Sequence, residues 1–149
     1  MVAAVTTTFA KFKILIGDGG SPTEAFTPVC GLTSKGIDWN ADTVTSEVPD
    51  CANEDLPSWQ EKDIKSVGAT LSGSGMWSTV NHPILLNWIS SAAKKNIQVE
   101  YTDAATGSPK TIAGPAVLTK LSNQVDKGGR LQADITIEFT SKPTITNAP

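Results

Sequence analysis

One stretch constrains this chain more than any other, residues 31–77. It reads GLTSKGIDWNADTVTSEVPDCANEDLPSWQEKDIKSVGATLSGSGMW. Both ends look like strands, but the middle is polar, acidic and too long for an ordinary turn. Between Lys35 and Asp63 lie Asp38, Asp42, Glu47, Asp50, Glu54, Asp55, Glu61 and Asp63, answered only by Lys35 and Lys62. These eight acids and two lysines give the segment −6. The whole chain carries −3, so the remainder sums to +3. Such a segment cannot be core. Long insertions of this kind in a small domain are functional or disordered. Residues 34–66 are therefore expected to leave the body as a long polar loop or a β-hairpin arm, with a short helical turn near 56–62.

The 149 residues suit one domain with one real core. Apolar content of 39% and charged content of 18% leave a chain rich in Thr, Ser, Asn and Gly. That balance favours strands and turns. The modest net charge and a pI near 5.0 argue against a phosphate-binding protein, which would be expected to show a basic patch.

The clearest strand is RLQADITIEFT, residues 130–140. Leu131, Ala133, Ile135, Ile137 and Phe139 alternate with Gln132, Asp134, Thr136 and Glu138. FAKFKILIG, residues 9–17, alternates Phe12, Ile14 and Ile16 with Lys11 and Lys13. Residues 18–22, DGGSP, signal a turn. Further strands are expected over 26–33, 66–77, 97–101 and 110–125, the last with a break at Gly114-Pro115. Residues 126–129, DKGG, should turn the final hairpin.

Residues 81–95 are the one helical stretch, with Ile84, Leu85, Trp88, Ile89, Ala92 and Ala93 on one stripe. Asn81 or His82 should cap its start, beside Pro83. Lys94 and Lys95 would sit at its negative end, with Asn96 as the left-handed cap. Residues 1–8 read as a loose N-terminal arm and 141–149 as a loosely ordered tail. The fold class is α+β, mainly antiparallel β, with six or seven strands, one flanking helix and one long polar loop.

The sequence offers little chemistry. His82, the lone histidine, reads as a capping or solvent-exposed residue, so no hydrolase triad is expected. Cys30 and Cys51 lie outside any Cys-x-x-Cys pair and are too few for zinc. They read as isolated buried thiols, since a disulfide between them needs a geometry that sequence does not supply. Glu54 and Asp55 read as a solvated charge run rather than an acid–base pair. The glycines of SGSGMW lack the Lys-Ser/Thr and the helix start of a phosphate cradle. No enzyme and no cofactor is expected.

Trp39 and Trp59 stand out as aromatic residues in a polar loop. Such residues anchor protein interfaces. In the alternative reading they anchor a small β-rich binding module. There is no basic leader or apolar segment with a cleavage site, and no run of about 20 apolar residues. The expectation is synthesis in the cytoplasm and no membrane partner.

The order of these segments resembles the major tail tube proteins of long-tailed bacteriophages and gene transfer agents. The resemblance is carried by FKILIG, by VCGLTSKGIDWNADTVTSEVPD entering the acidic segment, by LPSWQEK, and by SVGATLSGSGMW. The mid-chain helix and the hairpin GPAVLTKLSNQVDKGGRLQADITIEFT follow in the same order, so it spans residues 9–140. Where those proteins often carry a basic or aromatic residue after the tryptophan, this chain has Gln60 and Glu61.

The resemblance implies a β-sandwich or partly rolled barrel, rings of six copies, and rings stacked into a tube that conducts DNA without binding it. The partners it implies are further copies of the chain and other tail proteins: tape measure, tail terminator, distal tail and, where one exists, a sheath. The virion tail is the implied location. A secretion-system tube of the same fold is the alternative. Trp39, Asp42, Glu47, Asp50, Glu54, Asp55, Trp59 and Glu61 are the expected contacts between subunits or rings. Gln132, Asp134, Thr136 and Glu138 are the expected lining of the lumen.

Overall fold

The computed structural model describes residues 2–20, 23–80 and 82–149. The turn residues Ser21 and Pro22 and the expected cap Asn81 lie outside them. A single 3-10 turn, Phe9–Lys11, replaces the first part of the expected opening strand. The strands are β1 (Phe12–Gly17), β2 (Phe26–Pro28), β3 (Leu32–Val48), β4 (Trp59–Met76), β5 (Lys95–Tyr101), β6 (Pro109–Gln124), β7 (Gln132–Phe139) and β8 (Thr144–Asn147), with one helix, α1 (Pro83–Ser91).

All eight strands join one antiparallel sheet in the order β2-β1-β5-β6-β7-β4-β3, with β8 on β6. This is the mainly antiparallel β-structure with one flanking helix expected from the sequence. Among the described residues no ladder closes the sheet, but it curls. Lys35 of β3 donates to the Phe12 carbonyl of β1 at 2.6 Å, and its ammonium lies 4.0 Å above the Phe9 ring. Edge strand β3 is thereby drawn toward β1, next to the other edge of the strand order. Burial, and secondarily the nearby Lys13 charge, hold the Lys35 pKa below the usual lysine range.

The core lies inside the curl. Alternation in β7 places Ala133, Ile135 and Ile137 inward at 0–3% exposure, with Gln132, Asp134 and Glu138 outward. Helix α1 packs on β6 and drives Leu85 and Trp88 into the same cluster. The Trp88 indole donates to the Ala93 carbonyl at 2.7 Å, so the buried ring leaves no unpaired N–H.

The helix stops at Ser91, not at residue 95. Ala92 adopts the left-handed conformation (φ 55°), and Lys95 already pairs with Ala116 in β5. The need to bury Ile97 and Val99 in the sheet overrides the helix propensity of Ala92 and Ala93. Lys94 and Lys95 therefore lie beyond the helix, and Asn96 is not its cap.

The expected strand over 26–33 is two strands. Val29 donates to the Ile14 carbonyl, then Gly31 (φ 84°) turns the chain into β3. There β3 crosses close over the end of β4. A Cβ on Gly75 would collide with the Gly31 carbonyl oxygen, and one on Gly73 would lie 2.9 Å from Leu32 Cδ1. The small residues of SGSG thus let β3 seat Leu32 in the core.

Four further expectations are corrected. Gly114-Pro115 does not interrupt β6, because its irregularity falls between Leu118 and Lys120. Residues 144–147 are not loose but form β8, held by the β6 backbone. His82 is fully buried rather than capping or exposed. Its Nε2 contacts the Cys30 carbonyl oxygen, its ring meets Trp77 edge-on at 5.3 Å, and it makes no side-chain cap. Cys30 and Cys51 are free and exposed, not buried.

Candidate assembly interface

Strands β3 and β4 run 17 and 18 residues, but the body uses only part of each. β4 pairs with β7 from Thr70 to Met76, and earlier residues of β4 pair only with β3. The acidic segment is therefore a β-hairpin arm projecting roughly 30 Å beyond Trp39 and Ala69, at about 3.3 Å per residue. Every residue from 38 to 68 is exposed. The helical turn expected near 56–62 is absent, since β4 already begins at Trp59.

The local sequence explains the arm. ADTVTSEV and WQEKDIKS are rich enough in β-branched residues to pair, and Pro49 and Pro57 lie just outside the two strands. Asp50 Oδ1 accepts from the Ala52 and Asn53 amides at 2.8 and 3.3 Å, and Asn53 Oδ1 accepts from Asp55 at 3.1 Å. Asx turns of this kind give the tip a defined shape. A register shift beside Asp42 and Thr43 adds a bulge, and Ser66 donates to Asp42 at 3.2 Å.

The acids are not neutralised across the ladder. Asp42 faces Ser66, Glu47 faces Gln60, Glu61 faces Ser46 and Asp63 faces Val44. Asp50, Glu54 and Asp55 crowd the tip turn, where no lysine or arginine lies between residues 49 and 58. Trp59 is 82% exposed opposite Val48, and Ile64 and Val67 are each 66% exposed. A two-stranded ribbon with no buried face is marginal on its own in water.

The structure brings Asp50, Glu54, Asp55 and Trp59 to the outer end of the arm, and strings Asp42, Glu47 and Glu61 along it. It does not bring the two tryptophans together. Trp39 stands at the base, against a cleft of about 450 Å³ shared with Val67, Phe139, Pro143 and Ile145. That cleft was not legible in the sequence, because Pro143 and Ile145 belong to the segment read as a loose tail.

The second surface is the outer face of the sheet. Gln132, Asp134, Thr136 and Glu138 lie on it together. Across β4 they face Met76, Ser74, Ser72 and Thr70, and across β6 three of them face Gln124, Ser122 and Lys120. The result is a hydroxyl-rich, mildly acidic surface on which Gln132, Asp134 and Glu138 are exposed. Among the described residues no group of three or more His, Cys, Asp or Glu is placed to hold a metal ion. Nor, among the described residues, is any helix long and apolar enough to cross a membrane.

A family model described as phage tail tube protein matches residues 6–145. Among solved structures, a chain in the tail of an empty GTA particle, computed with helical refinement and C6 symmetry, superposes with a TM-score of 0.74 at 19% identity, covering 95% of this chain and 99% of that one. The SPP1 tail tube gives 0.68 at 10%, covering 96% and 80%. A sheath/tube terminator chain of the PVC extracellular contractile injection system gives 0.64 at 18%, covering 97% and 99%. No curated protein matches in sequence. The family match spans almost the whole chain, arm included, and the resemblance read from the strand order is borne out: the chain belongs to the phage tail tube protein family, as a structural, tube-forming subunit.

Proposed function

We propose that copies of this chain form closed rings, six to a ring, that stack head to tail into a hollow virion tail tube for DNA delivery. The observation that carries the reading is the arm: about thirty consecutive residues, all exposed, with apolar side chains and a defined tip, none of them part of the core cluster among the described residues. Such a ribbon gains a reason to be ordered when it lies on a neighbouring subunit. Sixfold symmetry is supported by the GTA tail to which the fold is similar.

In this assembly Trp39, Asp42, Glu47, Asp50, Glu54, Asp55, Trp59 and Glu61 contact the next subunit or ring. The face bearing Gln132, Asp134, Thr136 and Glu138 lines the lumen. Basic linings would hold DNA by releasing counterions from its phosphates. Carboxylates and hydroxyls leave it free to slide, and the repulsion acts only within about 8 Å at physiological salt. The chain acts as a wall rather than an enzyme. Other tail components, the tape measure, terminator and distal proteins and a sheath where one is present, cap or coat the tube.

Electron microscopy of the concentrated chain, alone and with tail components, tests this. Rings about one subunit thick and tubes of stacked rings are the expected result. A chain that stays monomeric under all these conditions overturns it.

A further inference from the structure

Resting on the reading that rings stack through the arm, we infer that the tip of the arm docks on the β6–β7 turn of a second copy of this chain, in the next ring. Head-to-tail stacking joins opposite ends of identical subunits. The sheet register says which ends these are. Met76 pairs with Gln132 and Thr70 with Glu138, so the arm leaves β4 past the far end of β7. The β6–β7 turn, residues 125–131, lies at the other end, roughly 50 Å from the tip along β4 at about 3.3 Å per residue.

That end is complementary to the tip in two ways. The tip carries Asp50, Glu54 and Asp55 with no cation between residues 49 and 58, and the turn carries exposed Lys127 and Arg130 against the single acid Asp126. The tip region also exposes Val48, Leu56 and Trp59, while the opposite end exposes Met76, Val80 and Val125 at 45, 85 and 56%. The receiving turn is rigidly presented. Gly129 donates back to the Asp126 carbonyl at 2.9 Å, Gly128 takes the left-handed conformation (φ 87°), and the Trp77 amide donates to the Leu131 carbonyl at 2.8 Å. Lys110 and Lys142 stand at the arm's own end, beside the start of β6 and the end of β7, where a head-to-tail neighbour's tip does not arrive.

Assembled tubes of the full chain, treated with a zero-length carbodiimide and digested for mass spectrometry, test this directly. The expected product is an isopeptide bond between Lys127 and Asp50, Glu54 or Asp55. Their separation within one subunit makes that product intermolecular. Coupling of the tip carboxylates to Lys94, Lys110 or another lysine, without Lys127, overturns the assignment.

The second arm is a charge exchange. Lys127→Glu with Arg130→Glu should leave folded rings, checked by circular dichroism, and cut tube yield at least tenfold. Adding Asp50→Lys and Glu54→Lys should restore it. Wild-type tube yield from the first variant, or no recovery in the exchange, sinks the docking assignment while leaving the tube itself standing. Stacking that persists when the arm is excised would instead sink the reading on which the assignment rests.

Discussion

Replace residues 41–67 with a short Asn-Gly turn that joins Asn40 to Gly68. These two are already cross-strand partners, and Asn-Gly supports tight hairpins. The excised ribbon holds no buried residue. A two-stranded hairpin with no buried face is marginal in water, its pairing offset by the entropy of ordering it, so the ribbon adds little net stability.

The body keeps Leu71, Ala69 and every buried residue of β7. Unfolding free energy should therefore change by less than about 2 kcal/mol, against a usual total of about 5–15. The melting temperature should move by only a few degrees, at roughly 2–4 °C per kcal/mol for a domain of this size. The urea slope should also barely change, because the arm is exposed before unfolding as well as after. Tube formation, scored by electron microscopy, should be lost while rings remain. A loss above about 4 kcal/mol would mean that the arm supports the core. Tubes at wild-type yield would mean that the arm does not connect rings.

Trp88→Ala should cost about 3–5 kcal/mol, the range for emptying a large aromatic site, and should also free the Ala93 carbonyl; urea denaturation followed by circular dichroism measures it. Asp18 is held below the usual carboxylate range, first by the Gly20 amide and then by the Ala25 amide. A depressed folded pKa stabilises above the unfolded value, near 3.8, and the benefit is lost as pH falls through the lower folded value. Asp18→Ala should thus lower the denaturation midpoint at pH 6 and converge with the wild type in acid; a constant offset down to pH 2 would refute this. Asp134→Lys with Glu138→Lys should assemble tubes normally yet reduce DNA delivery, read as infectious titre per particle. An unchanged titre would place these residues away from the lumen.

What was legible in the sequence follows from burial on one side. β7 was readable because Ala133, Ile135 and Ile137 are buried and their neighbours are not. The same holds for β1 and β5. The arm was legible as an excursion but not as two long strands, because a ribbon exposed on both faces imposes no alternation on its side chains. β8 shows the same failure in miniature. All four residues are exposed, and the backbone ladder to residues 109–113 that holds them leaves no side-chain signature. The end of α1 was misplaced because alanines continue both a helix and its apolar stripe, and only the distant pairing of Lys95 stops them. His82 looked like a surface cap from its neighbour Pro83. Its burial arises from Cys30 and Trp77, and the contact with Cys30 spans 52 residues of sequence.

The distribution of charge also bears on how such a subunit avoids assembling too early. β3 is an edge strand, and its outer backbone is unpaired along most of the arm. Long exposed edges invite indiscriminate strand pairing. In this chain that edge carries Asp38, Asp42 and Glu47, and its partner β4 adds Glu61 and Asp63. Two arms approaching edge to edge bring like charges together, with no opposing lysine across the ladder to relieve them except Lys62 and Lys65 on β4. Apolar residues on the arm can then be kept for docking without becoming a site of aggregation. Under the proposed stacking, the carboxylates along the strands repel another arm, while Asp50, Glu54 and Asp55 at the tip attract the Lys127 and Arg130 turn. The acidity of the arm as a whole thus disfavours the wrong pairing and favours the right one. Neutralising Asp42, Glu47 and Glu61 together, as Asn, Gln and Gln, should therefore raise irregular aggregation, measured by light scattering of the unassembled chain, before it alters the stability of the body. If such a variant scatters no more than the wild type, the acids of the arm do not protect the edge, and docking is their only remaining role in this scheme.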